Sequence, residues 1–69
     1  MEKYETELGY TVQETIEGLD VYENGEIVCV LHGKTLDDYR YDGEIDDDHL
    51  ESAIKEEIDI DNTIRKLIE

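Results

Sequence analysis

Between Asp37 and Glu51 the chain carries eight acids, Asp37, Asp38, Asp42, Glu44, Asp46, Asp47, Asp48 and Glu51, against one base, Arg40. Carboxylates at this density can do three things. They can ligate a hard cation through oxygen, they can act as a general acid and base if an apolar cleft sets their affinities apart, or they can present a negative field to a basic partner.

The first option is tested by spacing. A helix–loop–helix calcium site takes ligands from loop positions 1, 3, 5, 7, 9 and 12 and has glycine at position 6. With Gly43 at position 6, Asp38 falls at 1, Asp42 at 5 and Asp46 at 9. Arg40 then occupies position 3, where a cation repels calcium, and His49 stands where the bidentate glutamate belongs. The preceding "GKTLDDY" is also too short and broken for an entering helix. The likeness is accidental, and "DGEIDDDHLE" reads as a solvated loop running into the acidic start of a helix. No metal or other cofactor is expected.

Catalysis finds no better footing. Cys29 and His32 lie three apart in a run that reads as strand, so their side chains point to opposite faces. His49 has Asp46, Asp48 and Glu51 nearby, but a helix start splays such groups outward instead of converging them. There is no glycine-rich phosphate loop and no CxxC pair. The expectation is a protein that is not an enzyme.

The elements that must carry these residues follow from periodicity. "YTVQETI" alternates through Tyr10, Val12 and Ile16 and predicts a half-buried strand, with a turn at Glu17–Gly18. In "LDVYENGEIVCVLH" the Asn24–Gly25 pair sits between two β-rich runs, the signature of a two-residue type I′ hairpin. An unbroken register pairs Tyr22 with Ile27, Val21 with Val28, Asp20 with Cys29 and Leu19 with Val30. Paired residues share a face. One face would then hold Leu19, Val21, Val28 and Val30, and the other Tyr22, Ile27, Cys29 and Leu31. Tyr39 and Tyr41 could lie on a further short strand ending in a turn at Asp42–Gly43, or in a loop.

From Asp46 the period becomes helical. Asp46 suits an N-cap, and Asp47 and Asp48 favour the positive end of the helix dipole. Leu50, Ala53, Ile54 and Ile58 form one apolar stripe, with Glu51 and Lys55 paired on the outer side. Ile60, Ile64, Leu67 and Ile68 form a second stripe, out of phase with the first, so a break at "DID" (59–61) is expected. The fold class is α+β: a small antiparallel sheet of three or four strands built on the 19–32 hairpin, followed by one or two C-terminal helices on one sheet face. One domain spans residues 1–69, with residues 1–7 showing no pattern and expected to be loose.

Charge decides which partners suit such a domain. Six basic and twenty-one acidic residues give −15, divided almost evenly: −7 over residues 1–33 and −8 over residues 34–69. Self-repulsion of this size opposes compactness, so stability should rise with salt. Direct binding to DNA or RNA is excluded by the sign of the charge, and anionic membrane surfaces are disfavoured for the same reason. With a single cysteine, no internal disulfide can form, and there is no membrane-length apolar run. The expectation is a cytoplasmic, soluble protein.

Two functional surfaces are therefore expected. One is the acidic field from Asp37 to Glu51, suited to a basic, nucleic-acid-binding protein and analogous in size and charge to the DNA-mimic inhibitors of phages and mobile elements. Fifteen charges correspond to about 25 Å of duplex, close to the width of a small domain. The other is the hairpin face Tyr22, Ile27, Cys29 and Leu31, suited to homodimerisation, in which case acidity serves solubility alone.

Overall fold

The computed structural model describes residues 1–68. Four strands form one antiparallel sheet in the order β1 (Lys3–Glu5), β2 (Tyr10–Glu14), β3 (Gly18–Glu23) and β4 (Glu26–His32). A 3-10 turn over Leu36–Tyr39 leads to a ribbon of two short strands, β5 (Arg40–Tyr41) and β6 (Glu44–Ile45), and then to helix α1 (Asp47–Ile68). The class is α+β, with the C-terminal helix packed against the sheet.

Each strand is set by alternation. Tyr10 and Val12 in β2, Leu19 and Val21 in β3, and Cys29 and Leu31 in β4 point inward. Leu50 and Ile54 of α1 descend on them, and Leu36 and Tyr39 of the 3-10 turn close the end of the core. Asn24 and Gly25 turn the hairpin with φ of 53° and 81°, the positive values that a type I′ turn demands. Asp42 and Gly43 repeat the device between β5 and β6, at 53° and 84°.

Several sequence expectations are revised here. Residues 1–7 are not loose: Lys3, Tyr4 and Glu5 pair with Gln13, Val12 and Thr11 and supply the fourth strand. Tyr41 lies on the separate ribbon, while Tyr39 is buried in the 3-10 turn. Ile16 is not on the face of β2, because the chain turns at once, with the Thr15 N–H donating to the Gly18 carbonyl at 2.8 Å. That leaves Ile16 fully in solvent at the turn tip.

The hairpin register changes part-way along. Glu23 faces Glu26, and Tyr22 faces Ile27 as expected, but Val21 then faces Cys29, Asp20 faces Val30 and Leu19 faces Leu31. Val28 is one extra residue on β4, a bulge. Because side chains alternate with period two, a single inserted residue moves everything beyond it to the opposite face. Cys29 and Leu31 therefore enter the core, while Tyr22 and Ile27 stay on the outer side.

Helix α1 is one element of 22 residues, with no break at residues 59–61. It contains neither Gly nor Pro, and two aspartates cost too little helix propensity to interrupt it. The change of stripe phase has another origin. The first stripe meets the sheet, and the second belongs to helix that has passed the core, where Ile60, Ile64, Leu67 and Ile68 are exposed. The molecule is elongated accordingly, 42 × 23 × 22 Å. Among the described residues no helix is long and apolar enough to cross a membrane.

Candidate functional site

The acids predicted as a surface divide into two groups once their partners are known. Asp46 caps α1: its Oδ1 accepts the His49 N–H at 3.2 Å, and its own carbonyl accepts the Leu50 N–H at 3.0 Å. Asp47, the first helical residue, accepts the Tyr4 hydroxyl on Oδ1 and the Glu7 N–H, at 2.9 Å, on Oδ2. Glu51, one turn further, accepts the Leu8 N–H at 2.8 Å. Two carboxylates of α1, Asp47 and Glu51, thus tie the first segment of the chain to the helix start, where backbone N–H groups and the helix dipole also favour negative charge.

Glu51 departs from expectation. Its spacing from Lys55 places it on the outer side, but it is only 8 % exposed. Burial is tolerated because the Leu8 amide satisfies it. Asp38 also works locally, accepting the Thr35 N–H at 2.8 Å at the start of the 3-10 turn. Asp37 pairs with Arg40 at 2.6 Å, and the same guanidinium reaches both oxygens of Glu2 at 2.7 and 2.8 Å. Arg40 is held firmly protonated by its hydrogen bonds to Glu2 and Asp37. Asp42, Glu44 and Asp48 remain as exposed carboxylates without such partners among the described residues.

The internal bonds leave their mark on acidity. Tyr4 is pushed up to about 12, first by donating to Asp47, then by burial and the surrounding carboxylates. Burial raises Tyr39, aided by Asp38. Among the described residues no metal-ligand cluster forms around His49; its ring meets Tyr39 edge-on with centroids 4.9 Å apart.

These elements enclose an open groove of about 680 Å³ at one end of the molecule. Its lining brings Glu2 and Glu7 from the first strand region together with Glu44, Asp46, Asp47 and Asp48, with Tyr4 and Ile45 as apolar floor and Arg40 as the single base. The sequence pointed to the second set and missed the first. Glu2 and Glu7 lie in a stretch with no periodicity, and only the pairing of β1 with β2 brings them to α1. Asp37, Asp38, Asp42 and Glu51 lie outside the groove lining.

The second expected surface does not hold together. Of Tyr22, Ile27, Cys29 and Leu31, the last two are each 6 % exposed and belong to the core, while Ile27 is 55 % exposed on the other side of the bulged strand. Burial, with Glu57 and Asp61 nearby, raises the Cys29 thiol to about 11, which suits a packed residue and not a reactive one.

The charge density also needs revision. Fifteen net charges along 42 Å give about one per 2.8 Å, against about one per 1.7 Å in duplex DNA. The charge is uneven, however, because residues 1–61 hold twenty acids and four bases, and the last eight residues hold two bases and one acid. No family model matches the chain, and comparison with curated proteins and with solved structures gave no match to either.

Proposed function

We propose that this chain is a non-enzymatic binding protein that occupies a basic, nucleic-acid-binding surface of another protein, in the manner of a DNA-mimic inhibitor. The observation that carries the reading is the groove at one end of the molecule. Six carboxylates from distant parts of the sequence meet there, with a single base among them.

Two physical properties support it. Fixed carboxylates lose little freedom on binding, so attraction to lysine and arginine is not spent on ordering side chains. Asp46 and Asp47 are fixed in this sense by backbone and tyrosine donors. The overall −15 adds a long-range field that steers a basic partner toward the chain and speeds encounter.

The test separates charge from folding by changing only the exposed, unpartnered acids. The combined variant Asp42→Asn, Glu44→Lys and Asp48→Lys leaves every internal hydrogen bond in place, and asparagine tolerates the positive φ at position 42. Affinity capture with graded salt washes identifies the basic partner. Duplex DNA should displace the chain from it, and the variant should associate about ten-fold more slowly or worse at low salt. An unchanged rate in a folded variant, or a partner indifferent to nucleic acid, sinks the reading.

A further inference from the structure

Helix α1 outlasts the sheet it covers. Its first half buries Leu50 and Ile54, whereas Ile60, Ile64, Leu67 and Ile68 are 46, 49, 82 and 79 % exposed. Ile60, Ile64 and Leu67 stand at i, i+4 and i+7, one continuous face of a helix. Apolar residues scattered singly over a surface need no explanation, but a contiguous stripe marks a place of contact.

The same face carries a hollow of about 200 Å³ nearer the body, rimmed by Ala53, Glu56, Glu57 and Ile60, with Leu31 and Tyr39 against it. Four residues at i, i+3, i+4 and i+7 form the hole that receives a knob from a facing helix. The smallest of the four, Ala53, leaves the room.

We propose that the occupant is a second copy of this chain. Two copies pair antiparallel about a two-fold axis through the C-terminal halves of α1, with Ile60 of each against Ile64 of the other. In that register Leu67 of each copy falls opposite Glu57 of the other, at the hollow. The stripe and the hollow thus demand one and the same register, and the two-fold axis satisfies both twice.

Charge selects the antiparallel arrangement. Asn62–Ile68 holds Arg65 and Lys66 and no acid, whereas residues 55–61 hold Glu56, Glu57, Asp59 and Asp61 against Lys55. Antiparallel packing lays a segment of +2 along one of −3, and parallel packing lays like on like. It also sends the two acidic bodies to opposite ends of the dimer, out of each other's screened field, which reaches about 8 Å at physiological ionic strength. The outer edge of β4, the other unpaired apolar element, is blunted by its own bulge at Val28. This inference does not rest on the proposed binding function, since the acidic groove and the hollow share no lining residue.

Sedimentation equilibrium of the full chain, from about 5 to about 500 μM, is the test, because dimerisation makes the apparent mass depend on concentration. A monomer–dimer equilibrium is expected, abolished by Leu67→Glu and by Ile64→Glu with circular dichroism unchanged, since both positions are exposed. Joint reversal of Arg65→Glu and Lys66→Glu should weaken pairing about ten-fold, and adding Glu56→Lys and Glu57→Lys should restore it. A monomer throughout the range overturns the proposal. So does a dimer that Leu67→Glu leaves intact, including one lost on Ile27→Asp, which would put the contact on the hairpin. Failure of the second pair of reversals to restore association overturns the antiparallel register.

Discussion

The hydroxyl of Tyr4, on the first strand, donates to the carboxylate of Asp47, the first residue of the helix, across 43 positions of sequence. The bond holds the N-terminal strand to the start of α1 and lies on the lining of the acidic groove. It also makes Tyr4 reluctant to ionise.

Alkaline unfolding should follow from this. Tyr4 moves from 10.0 in an ordinary setting to about 12 in the fold, and Cys29 moves from 9.0 to about 11. Both are raised, so the folded chain keeps protons that the unfolded chain has already released. Their contribution is whole below pH 9 and drains away as pH rises toward 12. Denaturant titrations between pH 8 and pH 12 should show stability falling steadily across that window. Tyr4→Phe should cost about 1–2 kcal/mol at neutral pH and flatten the upper part of the slope.

The acids should prove unequal in a way their exposure explains. Glu51→Ala removes the acceptor of the Leu8 N–H from a site only 8 % exposed, and should destabilise by about 1–2 kcal/mol. Glu44→Ala deletes an exposed charge from a strongly negative surface and should lie within about 0.5 kcal/mol of the parent. Thermal melts of the two variants decide the matter. Equal loss in both would mean that the Glu51 bond adds nothing.

Gly18 should be the least replaceable glycine. Its φ is +151°, and a Cβ there would collide with the Leu31 carbonyl oxygen and come within 3.0 Å of the Gly33 nitrogen. Both obstacles are backbone, so neither can swing aside. Gly18→Ala should cost about 3 kcal/mol, whereas Gly25→Ala, with open space around it, should cost about 1 kcal/mol for its φ alone. Comparable melting temperatures for the two would contradict this reading of β3 and β4.

How far the sequence carried depends on which residues speak locally. Asn24–Gly25 announced its hairpin because a type I′ turn demands positive φ at both positions, and Asp46 announced its helix because a cap precedes its own helix in the chain. The bulge at Val28 was silent. Every residue from Ile27 to Leu31 is apolar, so slipping the register by one changes no pattern, and only packing against Leu19 and Val21 fixes which alternate set turns inward. The strand at Lys3–Glu5 was silent for another reason, since it buries little and its one inward contact, Tyr4, finds its partner 43 positions away. Of the acidic site, the Glu44–Asp48 side was legible as a charge run. Glu2 and Glu7 were not, because their place is decided by strand pairing and not by their neighbours in sequence.

The order in which the chain can assemble gives the groove a further meaning. The β2–β3–β4 meander joins near neighbours through short turns, contacts that form early and cheaply, while the clamp of Tyr4, Glu7 and Leu8 on α1 must wait for a long loop to close. Glu2 and Glu7 meet Asp46, Asp47 and Asp48 only when that last closure is made. The groove therefore has no counterpart in a partly folded chain. A ligand that needs its full set of carboxylates selects finished molecules and, by mass action, protects them from reopening.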